Sequence, residues 1–223
     1  MDQLLSPEHL FIGFLFYVVF LFSTTCHEAA HALVAKWGGD LTAWEGGQVT
    51  LNPLPHMRRE LYGMVVFPLL SFFLLQGAMI GWASAPYDPN WARKYPRRAA
   101  WMALAGPATN YLLMLIAVVA IYAIRNTDLW TSAATGRSTP LATILMMCFS
   151  LNLLLGTFNL LPIQPLDGSS GIMLLMSEDT ARKYIDWMRV NNFAFAGLLV
   201  GLLLFRYIYT PIEAIAMQLF FGR

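Results

Sequence analysis

The hydrophobic positions of this sequence fall into long apolar stretches that are separated by short polar segments. The stretches run over about 10–35, 61–85, 99–124, 141–163 and 193–219. A helix needs roughly 20 apolar residues to cross the hydrocarbon core of a bilayer, and each stretch approaches or exceeds that length. Arg206 and Pro211 lie well inside the last stretch, which therefore predicts one spanning helix followed by a shorter interfacial helix.

The polar segments between these stretches predict turns and loops. Residues 36–60 hold four glycines and two prolines, which are the strongest turn-forming residues. Within that segment, residues 48–52 alternate in polarity and include β-branched side chains, so they predict a short strand or β-hairpin after the first helix. Residues 86–98, 125–140 and 177–192 are expected to be polar loops.

The composition is that of a protein embedded in a bilayer. Of 223 residues, 57% are hydrophobic and 12% are charged, and the mean hydropathy is +0.55. A soluble domain has about a quarter of its residues charged. The net charge of +1 creates no strong field that would attract nucleic acid. We therefore expect an all-α polytopic membrane protein with about five to six membrane segments, one of them re-entrant, and the small β-element.

The length of the chain fits one membrane domain. We expect residues 1–223 to form a single unit, in which 10–176 hold the functional helices and 177–223 add a C-terminal membrane segment. The first ten residues contain Asp2 and Glu8 but no Lys or Arg, which argues against a cleaved secretory signal.

A metal-ligand motif lies inside the first apolar stretch. Residues 27–31 read His-Glu-Ala-Ala-His, and positions i and i+4 share a helix face, so both imidazoles can reach one ion. Glu28 would sit beside that ion and could take a proton from water. Each ionisable group at membrane depth costs roughly 3 kcal/mol. A polar patch satisfied by neighbouring helices would leave three such groups without a function, whereas a metal makes the imidazoles ligands.

Zinc requires a third protein ligand and leaves its fourth position open to water. Asp167 is the best candidate, because it is a lone acid that follows an apolar stretch broken by Pro162 and Pro165. Irregular backbone at membrane depth is tolerated where it lines a cavity. The alternative is a helix-terminating loop in which Asp167 is an exposed cap. Next to a zinc motif that lacks a ligand, the ligand interpretation is favoured.

Together these residues resemble the two-part signature of the site-2 protease family of intramembrane zinc metalloproteases. That signature pairs His27-Glu28-x-x-His31 with a distant Asn159…Pro162…Pro165-Leu166-Asp167-Gly168. The intervening segments look like the prokaryotic branch of the family that has no PDZ domain. They are Gly39-Asp40, Thr50-Leu51-Asn52-Pro53…His56, Gly81-Trp82-Ala83 and Ala105-Gly106-Pro107…Asn110, and the resemblance covers about residues 20–175. Gln164 is a departure, since a proline is usual there.

The resemblance implies a function and a role for each residue of the signature. It implies an endopeptidase with one Zn²⁺ per chain that hydrolyses peptide bonds of transmembrane proteins within the bilayer. The zinc ligands would be His27, His31 and Asp167. Glu28 would be the general base, and Asn159 a polar group near the reacting carbonyl. The expected partners are a transmembrane protein substrate, the lipid bilayer and a regulatory membrane protein.

Two further features bear on how a substrate would bind. The strand predicted at 48–52 could offer its edge to an extended substrate, or it could be an ordinary surface hairpin. His56 is either a loop histidine at the membrane interface or a group that the nearby prolines fold back toward the metal, where it would help to hold developing charge. We favour the second interpretation and place His56 among the catalytic residues with Glu28 and Asn159.

Two other classes of function fit parts of this pattern. A catalytically silent membrane scaffold or chaperone could share the fold, but it has no reason to keep the intact motif together with Asp167. A metal transporter could use the same residues. Transporters usually place such groups along several spans, however, whereas here they converge at one depth.

The basic residues predict which side of the membrane the site faces. If residues 61–85 enter and leave on one side, then 36–60, 86–98 and 177–192 share a side and hold ten Lys and Arg, against two in 125–140. Positive charge accumulates on the cytoplasmic side. We therefore expect a multi-pass protein of a prokaryotic inner membrane, with its active site toward the cytoplasm and its acidic N-terminus outside.

Overall fold

The computed structural model describes residues 6–191 and 193–222, whose regular structure is helical. Residues 1–5, including Asp2, lie outside the described part of the chain. A π-helical turn over Tyr62–Val66 leads into α4, and a 3-10 turn over Ile172–Leu175 follows α8. The helices in chain order are α1 (Pro7–Gly38), α2 (Thr42–Glu45), α3 (Pro53–Arg59), α4 (Phe67–Leu74), α5 (Pro89–Lys94), α6 (Pro96–Ile124), α7 (Pro140–Asn159), α8 (Asp167–Gly171), α9 (Glu178–Val190) and α10 (Ala194–Phe221).

Four of these helices, α1, α6, α7 and α10, are long and apolar enough to cross a membrane. The chain is therefore a helical membrane protein. The expected five to six membrane segments included a re-entrant one; the described residues hold four helices of spanning length, and the apolar stretch 61–85 is helical only over Tyr62–Leu74. That helical part is roughly 20 Å long, which is short of the ~30 Å hydrocarbon core.

The strand or hairpin predicted at 48–52 is wrong. The described residues contain no strand, and this segment forms turns between α2 and α3. The Gln48 N–H donates to the Ala43 carbonyl at 2.9 Å and closes the turn after α2. Asn52 caps α3, and its side chain accepts from the Leu54 N–H at 3.0 Å. Local hydrogen bonds thus use the polar groups that a strand ladder would need.

The apolar stretch that precedes α5 doubles back on itself. After Tyr62–Leu74 the chain turns at Gln76 and Gly77, both of which have a positive φ, and returns without regular structure. The two limbs are joined at their open end, where the Trp82 N–H donates to the Gly63 carbonyl at 3.0 Å. The stretch therefore enters and leaves at the same end of the molecule. We refer to residues 61–85 as the apolar hairpin.

The apolar hairpin packs along the N-terminal half of α1. The Tyr17 hydroxyl donates to the Met64 carbonyl at 3.0 Å. Nearer the hairpin tip, the Phe72 ring occupies the space that a side chain at Gly13 would need. Such close packing on a glycine is typical of helices in membranes. The hairpin tip therefore lies on the part of α1 that is remote from residues 27–31.

Helix α6 is the centre of the bundle and packs against both α1 and α7. Ala99, Ala100 and Ala103 of α6 are buried, and such small side chains let membrane helices approach closely. At the other end of α6, Met114 packs with Phe149 of α7, in a cluster that also includes residues of α10. This arrangement places α1 and α7 on neighbouring faces of α6.

The segment 177–192, expected to be a polar loop, contains the amphipathic helix α9, and the segment before α6 contains α5. Ala181 and Ile185 are four residues apart and are buried against the start of α6. Arg93 of α5 donates to both carboxylate oxygens of Asp186, at 2.7 and 3.0 Å, and thereby lowers the pKa of Asp186. The loop prediction is wrong, because Ala181, Tyr184, Ile185 and Met188 recur at helical spacing and pack on one side of α9, while its other residues are mostly polar.

The last apolar stretch forms one continuous helix, α10, rather than the predicted spanning helix and shorter interfacial helix. Pro211 lies inside α10 and cannot donate a hydrogen bond to the preceding turn. One residue earlier, the Thr210 hydroxyl donates to the Arg206 carbonyl at 2.8 Å.

The N-terminal end of α10 rests on the loop that joins α7 to α8. A Cβ at Gly197 would overlap the Gln164 carbonyl oxygen and lie 2.9 Å from the Ile163 side chain. Gly201, one turn further along, differs because a Cβ there would meet Leu166 at an ordinary 3.8 Å. Only the first of these glycines is required for close packing.

We therefore predict that Gly197→Ala destabilises the protein and Gly201→Ala does not. Overpacking against a backbone carbonyl costs about 1–3 kcal/mol, whereas alanine in an open helical position gains up to about 1 kcal/mol over glycine. Thermal unfolding of the two variants in the same detergent measures the difference. Equal unfolding temperatures for both variants would contradict this packing of α10.

Candidate metal centre

The His-Glu-Ala-Ala-His motif lies in the C-terminal half of α1, and His27, Glu28 and His31 are all buried. Because α1 is continuous here, the two histidines stand one turn apart on the same face. Their Nε2 atoms are 2.9 Å apart. Both imidazoles therefore point their Nε2 atoms at one location, which lies beside α1 in the interior of the bundle.

Asp167, the first residue of α8, lies against both histidines. Its Oδ2 atom is 3.1 Å from Nε2 of His27, and its Oδ1 atom is 3.4 Å from Nε2 of His31. The preceding loop folds back so tightly that a Cβ at Gly168 would overlap the Leu160 carbonyl. The structure thus brings Asp167 to the motif across 140 residues of sequence.

The side chains of His27, His31 and Asp167 fit a zinc ion. A tetrahedral zinc ion with bonds of about 2.0–2.1 Å sets its ligand atoms about 3.3 Å apart. The two Nε2 atoms are 2.9 Å apart, Oδ2 of Asp167 is 3.1 Å from the His27 nitrogen, and Oδ1 of Asp167 is 3.4 Å from the His31 nitrogen, so each separation is close to that spacing. Two imidazoles and a carboxylate are also a ligand set that catalytic zinc uses.

Gly106 of α6 keeps the space beside this cluster open. A Cβ at this position would overlap the Nε2 atoms of both His27 and His31. The sequence analysis treated Gly106 only as part of a family motif, but its lack of a side chain determines whether the two imidazoles can hold a common ligand.

The second nitrogen of each imidazole has a fixed partner. Nδ1 of His31 is 2.7 Å from the Met102 carbonyl, and Nδ1 of His27 is 2.6 Å from Oδ1 of Asn110. A carbonyl oxygen can only accept, so each Nδ1 carries the proton and each Nε2 presents a lone pair. Metal-binding histidines typically have such outer partners.

Asn110, which the sequence indicated as part of a family motif and as a residue for close helix packing, is a functional candidate. It is fully buried in a membrane-spanning helix and bonds directly to His27. A signal was available, because an amide inside an apolar stretch must find a partner in the bundle. The sequence could not show that this partner is a metal-ligand candidate on α1.

Glu28 has an unpaired carboxylate oxygen inside the protein. Its carboxylate lies within 4.8 Å of the ring nitrogens of His27 and His31. Its Oε2 atom is buried and has no hydrogen-bond partner among the residues that the structure describes. Leaving such an acceptor unpaired costs roughly 1–3 kcal/mol or more. This unpaired oxygen beside the cluster can accept a hydrogen bond from water or from an N–H group.

Asn159 lies outside the hydrogen-bond network of the cluster. It is the last residue of α7, and its amide group donates to the Leu155 carbonyl at 3.1 Å. Among residues 6–191 and 193–222, no hydrogen bond joins Asn159 to the histidines or to Asp167. Its place at the start of the loop that leads to Asp167 is its one structural link to the site.

His56 is buried in α3, and no described hydrogen bond connects it to the α1 histidines. Its Nε2 atom is 3.1 Å from the Thr50 carbonyl and must donate to it. Nδ1 is therefore an acceptor, and it is buried without a partner in the described part of the chain. The structure thus gives His56 an unmet acceptor but no contact with the cluster.

Comparison with known proteins gives a relative whose name agrees with this chemistry. A Bacillus subtilis (strain 168) protein named "Putative zinc metalloprotease YwhC" is 33% identical over 152 residues. The match covers 68% of this chain and 64% of that protein, so the chain spans less than two thirds of its relative's length. No family model and no solved structure matches the chain. The similarity supports a relationship to zinc metalloproteases.

We predict that Gly106→Ala prevents zinc binding, because the added methyl group would occupy the position at which the two Nε2 atoms meet. Zinc per chain, measured by elemental analysis of the purified protein, should fall at least tenfold, as expected when ligand geometry is lost. Gly201→Ala is the matched control, since it adds the same methyl group to a membrane helix with room for it. Full zinc content in a folded Gly106→Ala protein would exclude this site.

Proposed function

We propose that this chain is a zinc-dependent intramembrane endopeptidase of the site-2 protease type, which cleaves transmembrane protein substrates. One observation carries the proposal. The Nε2 atoms of His27 and His31 lie 2.9 Å apart on one membrane helix, and each is within 3.4 Å of a carboxylate oxygen of Asp167, with the unpaired carboxylate of Glu28 beside them. The named relative independently supports a metalloprotease.

The depth of the cluster supports a membrane-embedded substrate. His31 precedes the end of α1 at Gly38 by seven residues, which is roughly 10 Å along a helix. Lys36 and the exposed Trp37 are typical of the membrane interface. The cluster therefore lies just inside the hydrocarbon, at a depth where water can reach it through a polar opening.

The proposed chemistry assigns the proton transfers to Glu28. Bound zinc would act as a Lewis acid on the scissile carbonyl and would lower the pKa of water toward about 7. Glu28 accepts the proton of the attacking water and returns it to the leaving amine as the C–N bond breaks. The products are a carboxylate and an amine. The unpaired Oε2 atom of Glu28 is free to accept the proton of the attacking water.

Asn159 and His56 are proposed to assist the substrate rather than to bind the metal. Asn159 would donate to the reacting carbonyl, which requires its amide to exchange the Leu155 carbonyl for the substrate. His56 presents an acceptor at Nδ1, which suits a substrate N–H; to hold an oxyanion, Nδ1 would have to gain a proton. A transmembrane substrate and a regulatory membrane protein are the partners we propose.

We further propose that the cluster faces the cytoplasm of a prokaryotic cell. The three basic segments meet at one end of the molecule: Trp91 and Arg98 both donate to the Gly38 carbonyl at 3.0 Å, and Arg93 pairs with Asp186. This is the end at which the metal cluster lies. Ten Lys and Arg at this end and two in the 125–140 segment fit a cytoplasmic assignment.

We predict that Glu28→Gln retains zinc but does not cleave, because only the proton acceptor is lost. Turnover should fall at least a hundredfold, which is within the usual contribution of a general base. Asp167→Ala is the contrasting variant and should lose both zinc and activity. Quantitative proteomics of membranes that carry wild type or Glu28→Gln would identify the substrate as a protein that accumulates with the variant. Normal cleavage by Glu28→Gln would remove Glu28 from the mechanism.

Orientation can be tested by cysteine labelling in intact cells. Asn90 and Thr131 are both exposed and lie at opposite ends of α6. We expect a membrane-impermeant maleimide to label Thr131→Cys directly and Asn90→Cys only after permeabilisation. The parent chain, with buried Cys26 and half-buried Cys148, gives the background. Labelling of position 90 but not 131 would reverse the orientation.

A further inference from the structure

A chain of hydrogen bonds leads from His27 through the interior of the bundle and links α1, α6 and α7. Oδ1 of Asn110 is 2.6 Å from His27 Nδ1, and Nδ2 of Asn110 is 2.8 Å from Oδ1 of Asn152. Nδ2 of Asn152 lies 2.9 Å from both the Ser23 hydroxyl and the Cys148 carbonyl. Asn110, Asn152 and Ser23 are fully buried.

The direction of this chain is determined at its far end. The Cys148 carbonyl belongs to the backbone and can only accept, so Asn152 must turn its NH₂ group toward it. Asn152 then presents its oxygen to Asn110, which must donate. The oxygen of Asn110 therefore faces His27, and His27 must carry its proton on Nδ1. Reversal of either amide would place a buried oxygen against another acceptor, or a buried N–H against another donor.

The consequence at the metal cluster is a lone pair on His27 Nε2. A neutral imidazole has one proton, so fixing it on Nδ1 leaves Nε2 free to bind a cation. The other tautomer would direct an N–H bond at the point where His31 Nε2 and Asp167 converge. The orientation of the Asn110 amide thus decides whether Nε2 of His27 can bind a metal ion.

We propose that Asn152 is a positioning residue of the metal centre, which acts through Asn110 to hold His27 in its metal-binding tautomer. This role shares one premise with the proposed function, namely that zinc binds at His27. It can be tested by measuring metal binding, without a substrate. A different role for a buried asparagine is to join helices through an interhelical hydrogen bond. Loss of such a contact would lower stability but leave metal affinity unchanged.

The primary test is zinc affinity, measured by competition with a chromophoric chelator in detergent. Asn152→Leu keeps the branched shape and the number of side-chain heavy atoms but removes the polar atoms, and it should weaken zinc binding about 10–100-fold, as loss of outer partners of metal-binding histidines does. Ser23→Ala is the matched control, because the Cys148 carbonyl still orients Asn152. Its zinc affinity should stay within about threefold of wild type. Unchanged zinc affinity in a folded Asn152→Leu protein would overturn the proposal.

A double-mutant comparison tests whether Asn152 acts through Asn110. If it does, Asn110→Leu and the Asn110→Leu/Asn152→Leu double variant should bind zinc equally weakly, because the second change removes nothing further. Multiplicative losses would show that the two residues act independently and would overturn the relay. The visible spectrum of the Co²⁺-loaded proteins gives a second readout, since altered His27 ligation should change it in Asn152→Leu and not in Ser23→Ala.

A measurement on the wild-type chain avoids dependence on folding of the variants. In metal-free protein labelled with ¹⁵N-histidine, the nitrogen chemical shifts distinguish protonated from unprotonated ring nitrogens. The His27 signals, assigned by their absence in His27→Gln, should show a proton on Nδ1, the nitrogen that faces Asn110. An unprotonated Nδ1 would overturn the proposal even if proteolytic activity were established. Loss of proteolysis alone, with this tautomer and normal zinc affinity, would contradict only the proposed function.

Discussion

The hydrocarbon interior penalises every polar atom that lacks a partner, and the rest of this structure depends on that constraint. A histidine pair in the C-terminal half of α1 is tolerated because each Nδ1 donates to a carbonyl oxygen, of Met102 or of Asn110. The same bonds leave both Nε2 atoms as lone pairs next to Asp167. The hydrogen bonds that fix a proton on each Nδ1 thus also leave each Nε2 able to bind a metal ion.

Much of the cluster could be predicted because its signals are local or depend on the type of residue. An i,i+4 histidine pair defines a helix face wherever the helix lies, and Asp167 is conspicuous as a lone acid after a broken apolar stretch. The roles of Asn110 and Asn152 could not be predicted in this way. An amide has several potential partners in a bundle, and which one it meets depends on how α6 and α7 are placed against α1.

The errors in the fold prediction have a common physical origin. Residues 48–52 have the composition of a strand, but a strand requires a pairing segment, and here the capping of α3 by Asn52 uses the same groups locally. Conversely, α9 is mostly polar but carries a stripe of apolar residues at helical spacing, and Arg93 and the start of α6 give that stripe a surface to pack on. In both cases the overall polarity of the segment was a poor guide, because a local capping bond decided the first and a packed helix face the second.

The apolar hairpin also determines where the two ends of the described chain lie. Because it returns to the end from which it came, the described helices long enough to carry the backbone across are α1, α6, α7 and α10, and an even number of such helices brings the chain back to its starting end. The contact of Tyr122 near the end of α6 with the Phe220 carbonyl of α10 agrees with this arrangement. A tether or affinity handle attached near Ser6 or near Gly222 would therefore lie at the end of the bundle that is remote from the metal cluster.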